Sequence, residues 1–175
     1  MEPETFVVAL HGNRMKSVYV ETSILSYLTA RPSANLVVAA RQRLTCDWWE
    51  SERSRFDIYI SPFVETEASR GDPLAAKRRL AAAMGIPNLE IVPGTTELAS
   101  RLLEGGALPK KAEDDATHIA LAAIHGIDYL LTWNCRHINN AETKPLIRTI
   151  CSGFNYPCPE ICTPEELMRD ETHEG

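Results

Sequence analysis

The sequence predicts an α/β fold organised around a parallel sheet, and three observations predict it. First, the stretch Glu113–Asn134 (EDDATHIALAAIHGIDYLLTWN) runs from a carboxylate cluster into an alanine-rich helical pattern, breaks at Gly126 and resumes as an apolar strand, IDYLLT. Within it Ala116, Ile119, Ala120, Ala123 and Ile124 recur at the spacing of one helical face. Gly126 stands where a helix terminus favours glycine, the residue that takes the left-handed conformation cheaply. Second, short runs rich in β-branched and aromatic residues at Ser17–Val20 and Asp57–Ser61 alternate with longer helical periods. Third, no repeat, low-complexity tract or linker interrupts the 175 residues, a length suited to one domain with a real core. Alternating units of this kind build parallel sheets.

The elements follow in order. The first residues fit poorly with what comes after them, and Met15-Lys16 directly precedes a strand-like VYV. Met15 is therefore expected to be the natural start, with 1–14 as an extension, 15–170 as the domain and 171–175 as a tail. The strand Ser17–Val20 ends at Glu21-Thr22-Ser23, a carboxylate and two small hydroxyls that suit a turn into a helix. Ser33 or Asn35 caps a helix expected from about Leu36 to Phe56, whose arginines lie mostly on exposed faces. A second strand, Asp57–Ser61, ends at Ser61-Pro62, and FVETEASRG follows as a short helix or turn. Asp72 caps the next helix and Pro73 takes its first position. Leu89–Val92 is a third strand candidate, followed by a helix capped by Thr95 or Thr96 and ended by Gly105-Gly106. After the central stretch come a helix or helical turn over Ile138–Ile150 and a short strand within Pro157–Cys162. Thr163 and Glu166 then form a capping box.

Composition narrows the function classes. Apolar residues make up 44%, which excludes disorder, and no apolar run reaches membrane-spanning length. Phe6–Leu10 is too short for a signal-peptide core and follows acids, so a cytoplasmic protein is expected. Five cysteines in such a chain read as reduced thiols, and Cys151-x6-Cys158-x3-Cys162 is not a standard zinc spacing. The net charge of −6 argues against a generic nucleic-acid coat protein but leaves room for a local basic face.

In a parallel sheet each helix begins where the preceding strand ended, and ligands bind at that carboxyl edge. Glu21, Glu65, Glu67, Asp114 and Asp115 each follow a strand end or open a helix, and Asn134 follows the strand ending at Thr132. Carboxylates crowded there repel one another, and a divalent cation removes that cost. Oxygen-only ligands suit magnesium or manganese, which with a phosphodiester would polarise the phosphoryl oxygen and supply a hydroxide near neutral pH. Thr22, Ser23 and Thr132 stand close enough in sequence to hold waters or a phosphate. His118 and His125 fall toward one side of the alanine-rich helix and His137 lies three residues after Asn134. Solvent-facing or locally bonded histidines are the plainer reading of these. Gly-rich phosphate loops and the GxSxG nucleophile turn are absent.

Taken together, VYVETSIL, YISPFVETEASRG, DDATHIALAAIHGIDYLLTWN and TPEEL resemble, in order and spacing, the PIN-domain ribonucleases, a family that includes toxins of bacterial toxin–antitoxin pairs. The resemblance spans Lys16 to Leu167. It implies a three-layer α/β/α sandwich with a central, mostly parallel sheet, and an acidic site that binds Mg2+ or Mn2+ and cleaves RNA. By position, Glu21 takes the place of the family's first aspartate, one methylene longer than usual. Glu67 takes that of the second acid, Asp115 that of the acid before the alanine-rich helix, and Asn134 the fourth place. Glu21, Glu67 and Asp115 are thereby expected as metal ligands, with Glu65 and Asp114 as second choices.

The expected function is a Mg2+- or Mn2+-dependent endoribonuclease. Its RNA would be held by basic residues such as Arg31, Arg41, Arg70 and Lys77, and an antitoxin and a homodimer are the partners the resemblance implies. The alternative is a degenerate scaffold that binds RNA or a protein partner without cutting. A phosphoryl-transfer enzyme on a similar sheet would need an aspartate nucleophile where Glu21 stands.

Overall fold

Four short apolar segments pair side by side into one sheet. In the computed structural model, which describes residues 14–169, they are β1 (Lys16–Val20), β2 (Phe56–Tyr59), β3 (Tyr129–Leu131) and β4 (Glu160–Cys162). Their order is β2-β1-β3-β4 and every pairing is parallel. The tail, and all of the expected extension but Arg14, lie outside the described residues. Arg14 itself reaches Asp128 at 3.0 Å.

The connections set the layers. Helices α1 (Thr22–Thr29) and α2 (Leu36–Asp47) join β1 to β2. Four helices lead from β2 to β3: α3 (Pro62–Ala68), α4 (Pro73–Ala83), α5 (Pro93–Glu104) and α6 (Glu113–Ile124). Helix α7 (Lys144–Gly153) joins β3 to β4. Parallel crossovers are right-handed, so steps in opposite directions along the sheet place their helices on opposite faces. The packing shows where the long connection changes face: α3 and α4 still pack on α1, whereas α5 contacts α6 and α7. The result is a three-layer α/β/α arrangement. The chain leaves β1 toward β2 on one side and has β3 on the other, so the carboxyl ends of β1 and β3 flank the topological switch point.

Burial explains why the central pieces are so apolar. Val18, Tyr19 and Val20 of β1 and Leu130 and Leu131 of β3 have no exposed surface. At the amino edge, Asp128 fixes the register between β1 and β3. It accepts from Ser17 N and Oγ, both at 2.9 Å, and from Lys16 Nζ at 3.0 Å. These donors outweigh the effect of burial and hold its carboxyl below the usual range. Helix α6 is buried well beyond one face: Ala116, His118, Ile119, Ala120, Leu121, Ala122 and Ala123 are all inside. Its small side chains let α5 pack closely on one side while the sheet takes the other.

Four expectations are corrected. Leu89–Val92 is not a strand of the sheet; only Asn88 makes an isolated bridge, to Ile60. Pro87 and Pro93 lack the N–H groups that a longer ladder requires. The helix from Leu36 stops at Asp47, continues as a π turn (Trp48–Glu52) and a 3-10 turn (Arg53–Arg55), and leaves Phe56 to β2. The wider turn coincides with Trp48 entering the core, stacked on Phe56 at 6.0 Å. Helix α5 starts at Pro93, with Thr95 inside it, because proline suits the first helical turn. The segment from Ile138 is a run of turns until Lys144-Pro145 begins α7 for the same reason.

Gly126 has φ of +61°, so Gly126→Ala should cost about 1–2 kcal/mol in urea unfolding. Gly153→Ala, at a helical position with open space around the added carbon, should be neutral or stabilising by up to about 1 kcal/mol.

Candidate metal centre

The end of β1 delivers Glu21 to the switch point, where it caps α1: Ser23 N donates to its Oε1 at 3.1 Å. Its second oxygen accepts from Ser23 Oγ and, at 2.7 Å, from Thr132 Oγ1. The same hydroxyls accept from the chain leaving β3, Ser23 Oγ from Trp133 N at 2.8 Å and Thr132 Oγ1 from Asn134 N at 2.9 Å. Glu21 is only 6% exposed. Its carboxylate is therefore held by donors from the segments that follow both strands flanking the switch point.

Helix α3 supplies Glu67, and Thr22 Oγ1 donates to its Oε2. The third member comes from α6. His118 is 1% exposed and its Nε2 lies 2.8 Å from Glu67 Oε2 and 3.9 Å from Glu21 Oε1. Glu21, Glu67 and His118 each offer a ligand atom within 4.8 Å of the others, so the three could hold a metal ion. They are the only such group among the described residues.

The far side of the imidazole is fixed as well. His118 Nδ1 lies 2.9 Å from Tyr19 Oη, which lies 2.8 Å from Ser61 Oγ. Ser61 caps α3, accepting from Val64 N at 3.3 Å. With Nδ1–H donating to Tyr19, and Tyr19 O–H to Ser61, Nε2 is the atom left for Glu67 or a cation, the arrangement by which outer groups orient a metal-binding imidazole. Phe63 packs its ring edge-on at 5.1 Å.

Electrostatics follow from this packing. Burial alone would lower the His118 pKa, but the hydrogen bond to Glu67 and the charges of Glu21, Glu67 and Asp115 reverse that and raise it. Burial would raise the Glu67 carboxyl, yet the bond and charge of His118, with Thr22 and Arg70, bring it below its ordinary value. Burial drives the Tyr19 phenol far above its usual range.

The other expected residues divide. Asp115 opens α6 near this group, but both its oxygens are engaged: Asn134 Nδ2 donates to Oδ1 at 2.9 Å and His137 Nδ1 to Oδ2 at 2.7 Å. It stands outside the ligand trio. Asn134 thus orients Asp115, and its own Oδ1 accepts from His137 N at 3.1 Å. Asp114 points outward to Arg70 at 3.4 Å, and Glu65 is exposed and accepts from Asn88 at 3.1 Å. Arg41 lies over the Trp133 ring at 5.2 Å, while Arg31 and Lys77 are exposed.

Two of the expected carboxylates, Glu21 and Glu67, stand in the trio, and its third member is an imidazole. His118 was legible as a spacing signal three residues after Asp115, one turn along the same helix face. That it is buried and aimed at Glu67 was not. Of the remaining histidines, His125 is exposed, as expected, and its Nε2 lies 2.8 Å from Glu90 O, 35 residues away. Tyr19 and Ser61 gave no signal, being ordinary residues of a strand and its end. Comparison with protein-family models, with curated proteins and with solved structures found no match.

Two outcomes test the site. Tyr19→Phe keeps the ring but removes the hydrogen bond to His118, and should weaken Mn2+ binding by about 10–100-fold in titration calorimetry. In metal-free protein the raised His118 pKa stabilises the fold fully below the ordinary value of 6.5. That stability is lost as pH rises through the folded value, at no more than about 1.4 kcal/mol per pH unit. Glu67 acts oppositely: its contribution is full above 4.5 and is lost as pH falls through its lowered value. Tm should therefore fall as pH rises past 6.5, and His118→Asn should flatten that slope.

Proposed function

We propose that this protein is a metal-dependent ribonuclease whose divalent cation is held by Glu21, Glu67 and His118. The observation that carries the reading is the convergence of these three side chains, from β1, α3 and α6, at the switch point of a parallel sheet. The sequence pieces shared with the PIN ribonucleases support it, since all four positions they single out lie in or are bonded into this network: Glu21 and Glu67 in the trio, Asn134 through Thr132, and Asp115 through Asn134.

An imidazole among the ligands favours manganese over magnesium, which prefers an all-oxygen shell and gives up its waters reluctantly. When bound, such an ion supplies Lewis-acid polarisation of a phosphoryl oxygen and an acidified water. The protein's own groups do the rest. Thr132 and Ser23 hold Glu21 in place, Thr22 holds Glu67, and Tyr19 fixes the imidazole.

Arginines give the strand a path. A cleft of about 360 Å3 beside α1 is lined by Arg31, Arg78 and Arg79. Arg78 Nε donates to Thr29 O at 2.9 Å and Arg79 Nε to Ala68 O at 3.0 Å, which holds both guanidinium groups at the cleft. None of the three pairs with a carboxylate among the described residues, so their charge is available to phosphate.

A second reading, a scaffold that binds RNA or a protein without cutting it, is favoured by one observation: Glu67 and His118 lie 2.8 Å apart and satisfy each other by a direct hydrogen bond. One assay separates the two. Wild type should cleave single-stranded RNA with Mn2+, more slowly with Mg2+, and not in chelator, while Glu67→Gln and Glu21→Gln should lose Mn2+ binding and cleavage together. Wild-type protein that binds RNA yet leaves it intact under Mn2+ would establish the second reading.

A further inference from the structure

Asp115 and His137 form a pair that the ligand trio does not use. Asp115 opens α6, and His137 sits in the turns that follow β3, so the fold brings together residues 22 positions apart. The Nδ1–H of His137 donates to Asp115 Oδ2 at 2.7 Å, and the other carboxylate oxygen accepts from Asn134 Nδ2 at 2.9 Å. Asn134 also holds the His137 backbone N–H at 3.1 Å. Ring and carboxylate are therefore fixed to each other at three points. The opposite ring nitrogen, Nε2, has no hydrogen-bond partner among the described residues, and the side chain is 23% exposed.

We propose that His137 is the general base of this site and that Asp115 is the residue that positions it. The proposal rests on the ribonuclease reading and deepens it. A neutral imidazole that gives its Nδ1–H to a carboxylate carries its lone pair on Nε2, which is how an aspartate prepares a histidine to accept a proton. The pair lies beside the trio on two counts. Asp115 and His118 are one turn apart on the same face of α6, and Asn134 N bonds Thr132 Oγ1, which in turn donates to Glu21.

The step balances without a further reagent. As a water oxygen bonds to phosphorus, His137 Nε2 takes one of that water's protons. The bond from phosphorus to the leaving ribose oxygen breaks, its electron pair stays on that oxygen, and a solvent proton completes the hydroxyl. His137 then returns its proton to solvent. This role also accounts for the engagement of Asp115, an acid that the family pattern would assign to the cation.

The test uses the full chain, single-stranded RNA and Mn2+. His137→Asn keeps a side-chain N–H for Asp115 but has no basic nitrogen, so it should fold and bind Mn2+ as wild type does while cleaving about 10²–10⁴-fold more slowly. His137→Gly should be equally slow and should recover with added imidazole. Pyrazole, of the same shape and far less basic, should not restore it. Wild-type rates in His137→Asn would overturn the proposal, as would a slow His137→Gly that imidazole fails to rescue. Either result leaves the ribonuclease reading standing, whereas wild-type protein that never cleaves RNA removes both.

Discussion

The contact on which most of this structure depends is the one between Glu67 and the buried His118. Carboxylates lose several kcal/mol each when withdrawn from water, and Glu21 and Glu67 both face a ring with almost no exposed surface. Glu67 answers that cost with the imidazole and the Thr22 hydroxyl, and Glu21 with a backbone N–H and two hydroxyls. Those donors come from α1, α6 and the residue that follows β3. The fold around the switch point is therefore tied to the ionisation of its centre.

The same economy of donors accounts for the division of labour among the acids. Asp115 accepts one hydrogen bond on each oxygen, from Asn134 and from His137. Asp114 and Glu65 remain in solvent, where a surface ion pair or a single amide contact contributes little. Glu21, a methylene longer than an aspartate, spans the extra reach by capping its own helix while touching Thr132 across the sheet. Its ordinary role as a helix cap and its role in the centre are thus not alternatives. One carboxylate does both because the helix starts at the carboxyl edge.

Parts of this were legible in the residues. Periodicity and glycine placement located α6 and the strand after it, and Gly126 does take the left-handed conformation expected of it. Asp72 with Pro73, and Thr163 with Glu166, announced their helix starts through local hydrogen bonding, which needs no tertiary context. The misreadings share a cause. Leu89–Val92 has strand composition but is flanked by prolines that cannot extend a ladder, and whether a neighbour pairs with it is not a local property. The helix expected through Phe56 fails because Trp48 and Phe56 are wanted together in the core.

Sequence alone determined the alternation of strands and helices, the edge on which the acids gather and the identity of Glu21, Glu67, Asp115 and Asn134 as residues worth following. Those follow from short-range rules: side-chain period, capping and the geometry of a parallel unit. Only the tertiary structure decided which of them share a pocket, that His118 joins Glu21 and Glu67, and that Asp115 turns to His137 instead. The reason is that a side chain's partner across 50 or 100 residues is set by strand order and by burial on both faces of α6, and neither is written in the spacing of the residues themselves.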